Sequence, residues 1–187
     1  MLNFHRSLTL AAAVASFALL SAPALAEKPK WAKKSDATIV EFAVGASGVP
    51  GDLDNNGEDF DILVAALIAT GVVGIFDGTD YTVFAPTDQA FYDLTGTDND
   101  TDAFNGVVDL IGVDGVAAVL AYHVTDGVRN SRSVVSAKQI SMLDGNTINY
   151  DKAMGLIIAN QSAAGLLNID NRLADGMVHV IDTVLLP

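Results

Sequence analysis

Tyr81-Thr82-Val83-Phe84-Ala85-Pro86-Thr87-Asp88-Gln89-Ala90-Phe91 decides how the rest of this chain is read. Its first residues are β-branched or aromatic, the composition of a strand. Pro86 has no N–H and pushes Ala85 into extended backbone, so the strand stops there. Thr87 and Asp88 carry side-chain oxygens able to accept from the open N–H groups of a helix start. A short helix holding Ala90, Phe91 and Leu94 follows. Phe84 and Phe91 flank the turn and are expected to close over the same core.

Upstream of this stretch the apolar spacing is helical. Ser35 and Asp36 are expected to cap a helix running to about Gly45, with Ile39, Val40, Ala43 and Val44 as its apolar face. Residues 45–57 form a polar, Gly-rich loop around Pro50. Asp59 or Asp61 opens a second helix over 62–70, and Gly71 stops it. That helix is apolar on nearly every side, so it is expected to be central and buried.

Downstream, a polar loop over 95–102 leads to helical segments at about 102–110 and 114–122. From His123 the apolar runs shorten and alternate: 139–143, 147–150, 156–159, 166–169 and 177–184. Asp144-Gly145 between the first two is a hairpin signal, and Gly155, Gly165 and Gly176 mark further breaks. In the last run Met177, His179 and Ile181 share one face, Val178 and Val180 the other. A strand apolar on both faces belongs inside a sheet. Helices first and strands after predict an α+β fold rather than a doubly wound sheet.

Composition narrows the function. Of 187 residues 50% are hydrophobic and 18% charged, which is not a disordered chain. The absence of cysteine removes disulfide scaffolds, zinc ribbons and thiol nucleophiles. A net charge of −13 argues against nucleic acid as a partner, because phosphate contacts need clustered Lys and Arg. Residues 1–26 read as a secretory signal peptide: His5 and Arg6 at the start, an apolar run, then Ala24-Leu25-Ala26 as an A-x-A cleavage pattern. A buried N-terminal helix is the alternative. Residues 27–34 hold Lys28, Lys30, Lys33 and Lys34 beside Trp31 and read as a basic linker, or as a contact for an anionic surface. No later stretch is expected to reach membrane-spanning length, so stable membrane insertion after cleavage is not expected. The expected location is secreted or periplasmic.

Three segments together resemble the fasciclin family. The opening stretch is similar to the family's first signature, a strand running into a Pro-Thr-Asn/Asp turn and a capped helix. Leu120-Ala121-Tyr122-His123-Val124 is similar to its Tyr-His element. Gly176-Met177-Val178-His179-Val180-Ile181-Asp182-Thr183-Val184-Leu185-Leu186-Pro187 resembles its closing strand. The resemblance spans residues 35–187 as one domain, in the family's order. It implies a wedge-like β-sandwich with helices packed around it. It also implies a role in adhesion or extracellular-matrix interaction, with an extracellular or cell-surface protein or glycan as partner. Bacterial members occur as single exported domains. In some animal members the Tyr-His element is linked to integrin binding, which makes Tyr122 and His123 the candidate binding residues. The alternative is structural: Tyr122 packed on the core, and His123 satisfied locally with Asp88 as a partner. His179 has the same structural reading. A second integrin-linked element, an Asp-Ile pair, would fall on Asp170-Asn171, where the Ile is absent.

Catalytic patterns are scarce. Gly45-Ala46-Ser47-Gly48 lacks the spacing of a nucleophile elbow, and no phosphate-binding or His-Glu-x-x-His motif occurs. No enzyme activity and no cofactor are expected; an exported hydrolase using His123 or His179 as base is the remote alternative. One acidic loop stands out. Asp52-Leu53-Asp54-Asn55-Asn56-Gly57 begins like a calcium loop, making Asp52, Asp54 and Asn56 candidate Ca²⁺ ligands in a structural protein of the cell envelope. The glutamate that closes such loops would fall on Leu63. The competing reading is a solvated loop whose acids favour the next helix's N-terminus.

Overall fold

The computed structural model describes residues 35–48, 53–76 and 78–187. The signal peptide, the basic linker and Asp52 lie outside the described residues. Helix α1 is Ile39–Ala46, and its cap is Thr38 rather than Ser35 or Asp36. Thr38 Oγ1 accepts from the Glu41 N–H at 3.2 Å, and Glu41 Oε2 accepts from the Thr38 N–H at 2.8 Å. A Thr followed three residues later by Glu satisfies two open donors at once, which a Ser-Asp pair further upstream cannot do. Helix α2, Asp61–Thr70, starts at the second of the two expected positions and ends at Gly71, whose φ of 69° only glycine adopts freely. Its first half is buried, but Ile68 is 61% exposed, so the helix emerges from the core instead of crossing it.

A 3-10 turn, Val72–Ile75, leads to β1, Tyr81–Pro86, and then to α3, Asp88–Thr95. Helix α4, Asp100–Tyr122, joins the two predicted segments into 23 residues. The join is Gly112 at φ 71°, ψ 168°, a break in the helical path. Contrary to the sequence expectation, α4 is long and apolar enough to cross a membrane by length and composition. Here it packs against α2 and α3, and Leu110, Ile111 and Val113 beside the break are exposed.

Strand β2, Val124–Asp126, and helix α5, Ser131–Ser136, come next, too short to leave a periodic signal. Strands β3, Ile140–Ser141, β4, Thr147–Asp151, β5, Leu156–Ile158, β6, Ala163–Leu173, and β7, Gly176–Ile181, complete the elements among the described residues. The order in the sheet is β2-β1-β7-β6-β5-β4-β3. β1 and β7 run parallel, with Tyr81 opposite Gly176 and Pro86 opposite Ile181; the other pairs are antiparallel. All six residues of β7 are buried, as a strand apolar on both faces requires.

The sheet curls until its two edges meet. The Leu143 N–H donates to Val124 O at 2.8 Å, and Thr125 Oγ1 donates to Ser141 O at 2.7 Å. Inside the curl lies one core, with Phe84, Tyr122, Ile148, Ile157, Ile181 and Leu185. The helices cover the outer face of β1 and β7 with a second core, including Ile62, Leu63, Phe91, Leu120, Val178 and Val180. Phe84 and Phe91 therefore pack in different cores, correcting the expectation that they share one. Alternation along β1 sends Phe84 inward, while Val83 and Ala85 face the helices.

Candidate functional site

Helix α4 delivers Tyr122 and His123 to the seam between the two cores. The Tyr122 hydroxyl donates to Thr147 O at 3.0 Å and accepts from the Asn160 N–H at 3.2 Å. His123 Nδ1 lies 2.7 Å from Val119 O, and Nε2 accepts from the Leu185 N–H at 2.9 Å. The acceptor role of Nε2 places the proton on Nδ1 and holds the ring neutral. Burial adds to this, lowering the His123 pKa to about 4. Neither side chain reaches the surface, at 0% and 2% exposure. Together they tie the end of α4 to the sheet and to the segment after β7.

Asp88 is not a partner of His123. Its Oδ2 accepts from the Asp61 N–H at 2.8 Å and its Oδ1 from the Ile62 N–H at 3.0 Å. It thus caps α2, a helix it does not belong to, while Thr87 makes no side-chain cap on α3. His179 is equally enclosed. Its Nε2 lies 2.8 Å from Arg129 O, its Nδ1 accepts from the Asp170 N–H at 3.2 Å, and the ring stacks on Phe84. Burial lowers its pKa as well. Asp170, at φ 63°, turns its carboxylate to the Ser131 N–H and hydroxyl at 2.6 and 2.7 Å, fastening the start of α5. Asn171 donates to Val178 O at 3.1 Å.

Of the calcium candidates, Asp52 lies outside the described residues, while Asp54 and Asn56 are exposed on the loop before α2. Asp54 Oδ1 accepts from the Asn56 N–H at 2.9 Å. The Asn56 amide turns to Asp59, donating to Oδ2 at 3.0 Å.

The surface is more open than the interior. Two apolar voids under the helices measure about 30 and 20 Å³, each room for a single water. Outside, a groove of about 540 Å³ runs between α1, the start of α3 and strand β6. Phe42, Gln89, Leu167, Asn168 and Asp182 line it. The register of β6 on β7 slips between Leu166 and Asn168 and again between Asn168 and Asn171. Such bulges re-aim side chains, and here Leu167 is 59% exposed and Ile169 43%. The alternating pattern marks this run as a strand but carries no sign of the bulges. No expectation from sequence pointed to this groove.

A family model for the fasciclin domain matches residues 58–187, more than two thirds of the chain. The chain belongs to the fasciclin family. It is similar to protein sll1483 of Synechocystis sp., 30% identical over 161 residues that cover 83% of this chain and 77% of that protein. It is also similar to transforming growth factor-beta-induced protein ig-h3 of Sus scrofa, 29% identical over 68% of this chain but only 18% of that protein. Among solved structures it resembles a FAS1 domain pair from the insect cell adhesion molecule Fasciclin I, with a TM-score of 0.55 at 17% identity. That match covers 75% of this chain and 52% of the pair, and it shows the shared fold. Within the fasciclin fold, the buried Tyr122, His123 and His179 hold elements in place.

Proposed function

We propose that this fasciclin domain is an exported, non-catalytic adhesion module that binds an extracellular or cell-surface protein or glycan through the groove beside β6. The observation that carries this reading is the bulged strand itself. It sets Leu167 out toward solvent in the wall of a groove of about 540 Å³, with the exposed Ile169 two residues further along the strand. The exposed Leu167 shares the groove with Gln89, Asn168 and Asp182, which combines apolar contact area with hydrogen-bonding groups, as recognition sites do. The signal-like N-terminal sequence and the kinship with domains of a cell adhesion molecule support the same reading.

A hydrolytic reading is weaker on geometry. A general base needs a free lone pair within reach of substrate. The lone pairs of His123 Nε2 and His179 Nδ1 are already occupied by backbone N–H groups.

The test is attachment by the producing cells. A strain whose copy carries Leu167→Ser and Ile169→Ser is expected to attach to surfaces as poorly as a deletion strain, with the protein folded and at normal abundance. Equal attachment by wild-type, substituted and deleted strains across several surfaces would refute the adhesion role. Attachment lost on deletion but kept with the double substitution would move the binding face elsewhere.

A further inference from the structure

Three helix starts and a loop bring five carboxylates together. Asp54 and Asp59 come from the loop before α2, Asp61 opens α2, Asp88 opens α3 and Asp100 opens α4. Oxygens of Asp54, Asp61 and Asp100 all lie within 4.8 Å of one another. Those of Asp59, Asp61 and Asp88 form a second such group, sharing Asp61. Asp61, Asp88 and Asp100 are fully buried and Asp59 nearly so. Among the described residues the one ion pair is Arg172 with Asp80, so no Lys or Arg there neutralises the five.

Most of these oxygens are occupied. Asp88 spends both on α2. Asp100 accepts from the Tyr92 hydroxyl at 2.5 Å and from the Asn55 N–H at 2.6 Å. Asn55, at φ 65°, also accepts from the Asp100 N–H, which pins the loop against α4. Asp61 Oδ2 accepts a long bond from the Asp54 N–H at 3.4 Å. Two buried oxygens have no hydrogen-bond partner among the described residues: Asp61 Oδ1 and Asp59 Oδ1. Asp59 has the Asp88 carboxyl within hydrogen-bond reach, whereas Asp61 Oδ1 has no such neighbour; buried polar atoms are nearly always partnered, so this orphaned oxygen inside a carboxylate cluster points to a missing positive group.

We propose that Asp54, Asp61 and Asp100 are ligands of a Ca²⁺ ion. Calcium takes six to eight oxygens at about 2.4 Å. Two ligands of one such ion lie no more than about 4.8 Å apart, and each pair among these three residues meets that limit. The exposed Asp54 leaves the site open to solvent for entry and for water ligands. This set keeps Asp54 from the loop motif but replaces Asn56, whose amide is turned to Asp59, with carboxylates from α2 and α4. None of Asp54, Asp61 and Asp100 lines the groove beside β6, although Glu58, Phe60, Thr87 and Gln89 of its wall flank Asp59 and Asp88; metal binding and attachment are read by separate experiments, so failure of the first leaves the adhesion reading standing.

The test uses the full chain, stripped with a chelator and titrated with CaCl₂ at pH 7 and constant ionic strength. Calorimetry is expected to show one saturable site, and Tm to rise by about 3–6 °C at ten times the Kd. Asp54→Asn is expected to weaken binding about tenfold with the metal-free Tm unchanged. Asp61→Asn is expected to raise the metal-free Tm, by relieving repulsion, and to abolish the response to Ca²⁺. Absence of heat together with a Tm insensitive to millimolar Ca²⁺ would overturn the proposal. A Ca²⁺ response that survives Asp61→Asn would overturn it as well.

Discussion

The imidazole of His123 has backbone on both nitrogens, and protonating it would set a second donor against the Leu185 N–H. Its pKa is about 4 in the fold against 6.5 unfolded, so its contribution is complete above pH 6.5 and fades as pH falls toward 4. Between pH 7 and pH 5 the wild type should lose about 2 kcal/mol more than a His123→Asn variant in urea unfolding. The raised carboxyls of Asp61 and Asp88 act in the opposite direction, gaining stability as pH falls, and cancel in that difference. Gly176 is a second single-residue constraint. A Cβ there would sit 2.1 Å from Tyr81 O and 2.7 Å from Ile39 Cδ1. The first of these is backbone of the paired strand and cannot step aside. Gly176→Ala is therefore expected to cost at least about 3 kcal/mol, read as a lower urea midpoint or loss of soluble protein.

Among the elements, α4 is the one whose path depends on a single residue. Gly112 sits at φ 71°, ψ 168°, a conformation nearly closed to other residues, yet a Cβ there would meet nothing within 4 Å. Gly112→Ala should thus cost about 1–3 kcal/mol from backbone strain alone, measurable by thermal unfolding. The break was legible only as a gap between two helical patterns, because the two halves share no change in polarity across it. Longer elements were readable: α2 by its apolar run and Gly71, β7 by apolar residues on both faces. Strand β2 and helix α5 were not, because three and six residues are too few to display a period. The groove beside β6 was hidden for a related reason. Register slips against β7 depend on the partner strand, so Leu167 and Ile169 read as ordinary strand positions.

For the molecule as a whole, charge works against compactness. A net charge of −13, with one ion pair among the described residues, means that folding concentrates repulsion. Raising NaCl from 10 mM to 0.5 M screens it, and Tm is expected to rise by about 5 °C in thermal melts. A flat or falling Tm would show that the acids are too dispersed to strain the fold. Two cores share the stabilisation, with the sheet edges joined through Leu143 and Thr125.

What the sequence by itself determined was local: the strand stop at Pro86, the helix stop at Gly71, the hairpin at Asp144-Gly145, and the two apolar faces of the closing strand. Each follows from backbone chemistry or periodicity within a few residues, where the signal is complete. What only the tertiary structure decided was which distant groups meet. Phe84 and Phe91 part into separate cores, Asp88 caps a helix that begins 27 positions earlier, and Asn55 binds Asp100 across 45 positions to gather the carboxylates. Such meetings depend on how whole elements pack, and packing is set by the combined burial of many side chains, none of which announces its neighbour in the order of residues.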